Sequence, residues 1–268
     1  MPELPEVETV LRTLEHMIKG RRIEHVDVRY AKTVEDDPAV FAKRLAGEHF
    51  NGFERRGKYL IFRMDTLTLV SHLRMEGRYY VQKPSDPINR HMHVIFDLDD
   101  GSQLRYHDTR KFGRMFLCDK DYDFSHFNNL GPEPFDEAFS QEYIHAYRKG
   151  RSGPLKSLLL DQHFVAGIGN IYADEILSAC GLRPGRSCRR ITKKDEENIV
   201  LETRRILTEA IAAGGTTIRT YTSSLGVTGL FQNECCVHSQ KVCRRCGSDI
   251  HMKFIGGRSS YYCPHCQK

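Results

Sequence analysis

The residue types best able to do chemistry in this 268-residue chain crowd its two ends. Toward the far end stand Cys243-Arg-Arg-Cys246 and, sixteen residues later, Cys263-Pro-His-Cys266. Two such knuckles supply four thiolates to one tetrahedral zinc ion. Four thiolates leave no open coordination position, so the zinc expected here is structural. His238, His251 and His265 are surplus to a complete four-cysteine set. At the near end the chain reads MPELPEVETV, with Pro2 beside Glu3 and Glu6 one helical turn on. On their own these residues read as an acidic, frayed start. A third stretch, Gly167-Ile168-Gly169-Asn170, separates two helical patterns and places Asn170 at the start of a helix. Free backbone N–H groups there suit a phosphate oxygen, and Asn170 serves equally well as a plain N-cap.

These groups need elements to hold them. Residues 4–18 carry Val7, Val10, Leu11, Leu14 and Ile18 on one stripe, which predicts an amphipathic helix stopped by Gly20. The runs IEHVDVRY, KYLIFRM, LTLVSHLRM, GRYYVQ, HVIFDL, QLRYHD and RMFLCD follow, short and separated by turn signals, as in a β-sandwich or barrel. LGPEPFDE, at 130–137, is broken by proline and reads as a linker. The period then becomes helical in SQEYIHAYRK, PLKSLLLDQ, IYADEILSAC and the segment from Thr192 to Ala213. Thr192 with Asp195 makes a variant capping box. Residues 214–233 are rich in Gly, Ser and Thr and read as a flexible loop. The expected order is a β-rich domain at 1–130, a linker at 131–137, a helical domain at 138–233 and a small metal module at 234–268.

Composition narrows the function classes. A net charge of +5 and a pI near 8.7 suit a polyanionic partner without requiring one. The tail is more basic, without revealing the function by itself: from residue 235 onward Lys241, Arg244, Arg245, Lys253, Arg258 and Lys268 face only Asp249. Nine cysteines, an odd number, in a chain with no apolar signal core argue for metal over disulfides. No apolar run reaches the roughly 18 residues a membrane span needs, so a soluble cytoplasmic protein is expected.

Assembled, these stretches resemble the bacterial formamidopyrimidine-DNA glycosylase family, also called 8-oxoguanine DNA glycosylases. The matching segments are PELPEVET at 2–9, RRGKYL at 55–60, SHLRMEG at 71–77, DTRKFG at 108–113, LGPEP at 130–134, GIGNIYADEIL at 167–177, GGTTIR at 214–219 and the terminal GRSSYYCPHCQ. The resemblance implies an α+β fold: an N-terminal helix plus β-sandwich domain, then a helix–two-turn–helix domain with a zinc-ribbon finger. It implies a base-excision repair enzyme, acting as a monomer on double-stranded DNA with a damaged base. Such an enzyme excises oxidised purines and then nicks the abasic strand by β,δ-elimination. One structural zinc and no organic cofactor are expected.

The resemblance also gives the opening residues a chemical sense. With Met1 trimmed, Pro2 becomes a secondary amine at the chain's start. An α-amino group titrates near 8, so a useful fraction is unprotonated at neutral pH, which a lysine near 10.4 reaches only after a large shift. Glu3 is the implied acid that opens the sugar ring, and Glu6 assists. Lys58 corresponds to the lysine aiding β-elimination, and Arg258 to the finger arginine linked to δ-elimination and phosphate binding. Met75, Arg110 and Phe112 correspond to the side chains that fill the gap left by a flipped nucleotide. His72, His91, Arg110, Arg151, Lys156 and Asn170 are the implied DNA contacts, and Thr216 to Gly229 the segment that closes over the flipped base.

The sequence departs from the pattern before the first knuckle, where the family reads close to L-x-V-Y-G-[RK]-x-G and this chain has Cys235-Cys236-Val237-His238-Ser239-Gln240-Lys241. His238 stands where a tyrosine helps hold DNA, and the turn glycines are missing. Two other readings remain open at this stage. An endonuclease VIII-like enzyme for oxidised pyrimidines shares much of the pattern, although Met75, Arg110, Phe112 and PELPE favour the purine enzyme. A non-catalytic zinc-ribbon DNA-binding protein would need the basic tail but no free Pro2.

Overall fold

The computed structural model describes residues 1–122, 127, 129–216 and 229–268. The chain divides into two compact units. Residues 1–125 form the first together with 214–229, a segment expected in the helical domain; 126–213 and 230–268 form the second.

In the first unit, helix α1 (Leu4–Ile18) forms where the apolar stripe predicts it, and Leu4, Val7, Val10, Leu11, Leu14 and Ile18 are buried. Eight strands follow: β1 (Ile23–Val28), β2 (Gly52–Arg56), β3 (Tyr59–Arg63), β4 (Leu67–His72), β5 (Arg78–Gln82), β6 (Met92–Leu98), β7 (Gln103–His107) and β8 (Arg114–Asp119). They make two antiparallel sheets in the orders β1-β6-β7-β5 and β2-β3-β4-β8. Phe96, Leu104 and Tyr106 of one sheet share a core with Leu60, Phe62, Leu69 and Met115 of the other, so the expected sandwich is present. Helix α1 adds its buried face to that core, beside β2 and β3.

Two elements go beyond the sequence reading. Helix α2 (Pro38–Leu45) begins at Asp37, whose carboxylate caps the N–H groups of Ala39 and Val40. Strand β2 is mostly polar and owes its conformation to pairing with β3 rather than to its own residues.

In the second unit the helices are α3 (Gln141–Arg148), α4 (Leu155–Leu160), α5 (Asn170–Ala179) and α6 (Lys193–Ala212). The capping box of α6 is formed by Thr192 and Asp195 as expected. Helix α5 packs on α4, on α6 and on the finger strand β10 (Arg258–Tyr262), which pairs with β9 (His251–Ile255). Buried residues Val237, Cys243 and Cys263 form the finger's own core. Among the described residues no helix is long and apolar enough to cross a membrane.

Candidate active site and metal centre

Pro2 and Glu3 are buried at the head of α1. Glu3 is the N-cap residue, and Glu6 reaches back to accept the Glu3 N–H at 2.9 Å in a reciprocal capping box. Glu6 is itself only 4% exposed, and its other oxygen accepts the Thr216 N–H at 2.8 Å and the Thr216 hydroxyl at 3.0 Å. The two acidic residues singled out by type therefore meet at one helix cap, where Thr216 of GGTT holds Glu6.

Lys58 lies in the turn between β2 and β3, where Gly57 adopts φ +56°. Arg55 fixes that turn by donating to the Gly57 carbonyl at 3.1 Å, and it pairs with Glu8 of α1 at 3.0 Å. Lys58 is 7% exposed.

The three residues expected to fill a void sit on two loops. Arg110 and Phe112 are both exposed, the guanidinium 4.9 Å from the ring centroid. Beneath them Asp108, fully buried, accepts the N–H groups of Arg110 (2.9 Å), Phe112 (2.9 Å) and Gly113 (2.8 Å). A carboxylate ringed by backbone donors holds the turn in one shape. Met75 is half-buried on the other loop, and Glu76 beside it accepts a hydrogen bond from the Thr109 hydroxyl. Both loops close on a glycine against Tyr106: a Cβ at Gly77 would lie 2.3 Å from the tyrosine oxygen, and one at Gly113 1.6 Å.

Among the described residues three non-glycines have positive φ: Arg74 (52°), Lys111 (60°) and Ser239 (58°). The first precedes Met75, the second separates Arg110 from Phe112, and the third follows His238. Backbone strain of this kind gathers where side chains are aimed.

The expected DNA contacts divide into two groups. Arg110 and Arg151 are exposed, the latter with its guanidinium over the Tyr147 ring. His91 and Asn170 are half-buried; His91 Nδ1 and Asn170 Oδ1 are buried with no hydrogen-bond partner among the described residues. Gly169, not Asn170, takes the N-cap of α5, so the plain-cap reading of Asn170 fails. His72 is buried and accepts the Arg74 N–H on Nδ1 at 2.9 Å. Burial, with the charges of Arg74 and Lys58, pushes its imidazole down to about 3, so it stays neutral. Lys156 departs furthest from expectation: it is fully buried, its ammonium 2.8 Å from Asp174 and donating to the Ser259 carbonyl at 2.7 Å. In this arrangement it presents no surface to a phosphate; it braces β10 beside Arg258, which is exposed.

Sequence reading missed the acidic pair that carries the finger. Asp174 also meets His238 Nδ1 at 2.8 Å and accepts the Tyr261 N–H at 3.2 Å. Its neighbour Glu175 accepts three successive backbone N–H groups, from Cys236 (2.7 Å), Val237 (3.0 Å) and His238 (2.8 Å). The adjacent acids within IYADEIL were the available signal, but nothing local names partners some sixty residues away. Despite the unusual residues before the first knuckle, the hairpin forms, with Ser239 in the conformation a turn glycine would take.

The sulfurs of Cys243, Cys246, Cys263 and Cys266 all lie within 4.8 Å of one another, with 4.0 Å from Cys243 to Cys266 and 3.5 Å from Cys246 to Cys263. Four sulfurs each about 2.3 Å from a tetrahedral zinc would stand roughly 3.8 Å apart, so the set fits the ion.

Three family descriptions match this chain in order: the formamidopyrimidine-DNA glycosylase N-terminal domain over residues 1–115, that enzyme's H2TH domain over 130–222, and a zinc finger found in FPG and IleRS over 240–268. The formamidopyrimidine-DNA glycosylase of Bacillus licheniformis is 43% identical over 274 residues, covering all of both chains. That of Bacillus subtilis is 41% identical, covering 100% of this chain and 99% of its own. The chain belongs to the formamidopyrimidine-DNA glycosylase family. It is a base-excision repair glycosylase with a structural zinc finger. Among solved structures, wild-type Lactococcus lactis Fpg in complex with DNA containing N7-benzyl-Fapy-dG superposes with a TM-score of 0.94 at 38% identity, over 100% of both chains. A second complex, of a variant of that protein with Fapy-dG DNA, gives 0.95 with the same identity and coverage.

Proposed function

We propose that this enzyme flips oxidised purines, such as 8-oxoguanine and formamidopyrimidines, out of duplex DNA and excises them with Pro2 as nucleophile. The observation that carries the reading is the placement of residue 2: it is buried at the head of α1, directly before the capping box of Glu3 and Glu6. An ordinary terminus frays in solvent.

The chemistry follows from the amine. Once Met1 is removed, the secondary amine of Pro2 attacks the anomeric carbon, and the C–N bond to the damaged base breaks. Glu3 supplies a proton to the ring oxygen as the sugar opens. The product is an iminium ion with no N–H to lose, so it persists as an electron sink. Its positive charge acidifies the neighbouring sugar C–H, and loss of that proton expels the 3′ phosphate. A second elimination expels the 5′ phosphate. Lys58 assists the first elimination, while Arg258 holds a phosphate and assists the second. His72, neutral at working pH, offers a hydrogen bond rather than a charge, whereas Arg110, Arg151, His91 and Asn170 position the duplex. Met75, Arg110 and Phe112 occupy the gap in the stack.

Borohydride trapping on DNA with an abasic site tests the reading, because an amine nucleophile leaves a reducible iminium. The expected result is a covalent adduct carried by the residue-2 amine in protein whose intact mass lacks Met1. An active, trappable preparation that retains Met1 would sink the nucleophile assignment. Excision of 8-oxoguanine in preference to thymine glycol would establish the purine class.

A further inference from the structure

We propose that Thr216 is a positioning residue for the Pro2 nucleophile, acting through Glu6. This inference rests on the Pro2 reading above. The N–H that Glu6 accepts from residue 3 belongs to the peptide joining Pro2 to Glu3, so the Glu6 carboxylate fixes the peptide plane attached to the nucleophile's own ring. The same carboxylate is held from its other side by two donors of Thr216. A carboxylate gripped at both oxygens has one orientation, and that orientation passes to residue 2.

The neighbouring glycine shows how close the seating is. Gly215 adopts φ +80°, and a Cβ there would stand 2.7 Å from Glu6 Oε1 and 3.0 Å from Glu6 Cγ. Gly229 is as confined: its Cβ would lie 2.4 Å from the Gly215 carbonyl oxygen and 2.6 Å from that of Gly214. Residues 214–216 and 229 thus form a base that presents Thr216 to the cap of α1. The Glu6–Thr216 pair spans 210 positions of sequence and is buried, so the two donors offset the desolvation of a charge that would otherwise be costly. Glu6, expected from resemblance to assist chemistry, here acts as the link between that base and the catalytic residues.

The test is a double-mutant cycle on single-turnover rates. Thr216→Val keeps the side chain's shape and removes the hydroxyl donor, and Glu6→Gln weakens the acceptor. Thr216→Val is expected to slow excision of a formamidopyrimidine lesion about tenfold, and to slow borohydride trapping on a preformed abasic site by a similar factor, since both steps use Pro2. The double variant should be no slower than the worse single one within about threefold, because both changes break the same contact. Thr216→Ser, which restores the hydroxyl, should recover most of the rate. Multiplicative losses, a Thr216→Ser as slow as Thr216→Val, or slowed excision with normal trapping would each overturn the proposal. Should Thr216→Val fail to fold, amide exchange decides: the Thr216 and Glu3 amides must be protected in the wild type and exposed together in Glu6→Gln. A wild type that does not trap at all defeats the Pro2 reading itself. A wild type that traps, with variants that do not slow, defeats only the role of Thr216.

Discussion

The head of α1 and the zinc finger solve the same problem with different means. Each must aim a few side chains from short segments, and each uses carboxylates that accept backbone N–H groups: Glu6 and Asp108 in the first unit, Asp174 and Glu175 in the second. In the first unit those carboxylates refine a scaffold that two sheets and α1 already stabilise. The finger has a core of three buried residues, too little apolar area to fold alone. There the metal and the acids of α5 are the scaffold. Identical contacts therefore differ in importance according to the core behind them.

Removing the metal should separate the two regions most sharply. Chelation, or Cys263→Ser, should release about 10 kcal/mol of metal-linked folding energy from the finger alone. Amide exchange should become fast throughout β9 and β10 while β4 and β6 stay protected; loss of protection in the sandwich would break the comparison.

Next in size is Asp108→Ala, which strands three N–H groups beneath Arg110 and Phe112. It is expected to cost about 3 kcal/mol and slow excision at least about tenfold, while Asp108→Asn, retaining one acceptor oxygen, should cost less. Thermal unfolding and single-turnover excision measure the two effects.

The third test is pH. The His72 pKa is about 3 in the folded protein against 6.5 for the free side chain, so the unfolded state binds the extra proton. Stability from this group is complete above about pH 6.5 and is lost as pH falls toward 3, amounting to about 2 kcal/mol by pH 5. His72→Asn, whose Oδ1 can accept the Arg74 N–H, should flatten that slope in a series of melting temperatures.

Glu175→Gln should be milder, roughly 1–2 kcal/mol, and its effect should be confined to exchange rates in the finger. The smallest change is a gain: Ser239→Gly relieves a left-handed backbone and should stabilise the finger by ~0.5 kcal/mol, read as slower zinc loss to a chelator. The same substitution strategy at Arg74 or Lys111, where the sandwich enforces the conformation, should stabilise less if the comparison holds.

How much of this was legible beforehand depended on whether the signal was local. Helix α1, the capping box of α6 and seven of the strands carry their periodicity in their own residues. Strand β2 does not, because four of its five residues are Gly, Glu or Arg and its partner decides its state. Helix α2 had a local signal in Asp37-Pro38, but it is only eight residues long. The zinc ligands were plain from spacing, whereas the roles proposed for Pro2 and Glu3 rest on resemblance. The burial of Lys156 could not be read from its type, since a lysine is ordinarily solvated and its partner Asp174 lies eighteen positions on. Asp108 and Glu175 were likewise invisible as supports, for a carboxylate's backbone donors leave no mark in composition. Most of the lesion-closing segment expected at 216–229 lies outside the described residues.

The tyrosine between the loops that carry Met75 and Phe112 has an evolutionary consequence. Because Gly77 and Gly113 both abut the hydroxyl of Tyr106, none of the three positions can drift alone. A larger residue at either glycine would push the ring into the other loop's base, so a single substitution would be felt by Met75 and by Phe112 together. Change on this scaffold is therefore freest at the loop tips, with the three base positions inherited as one unit or exchanged as one.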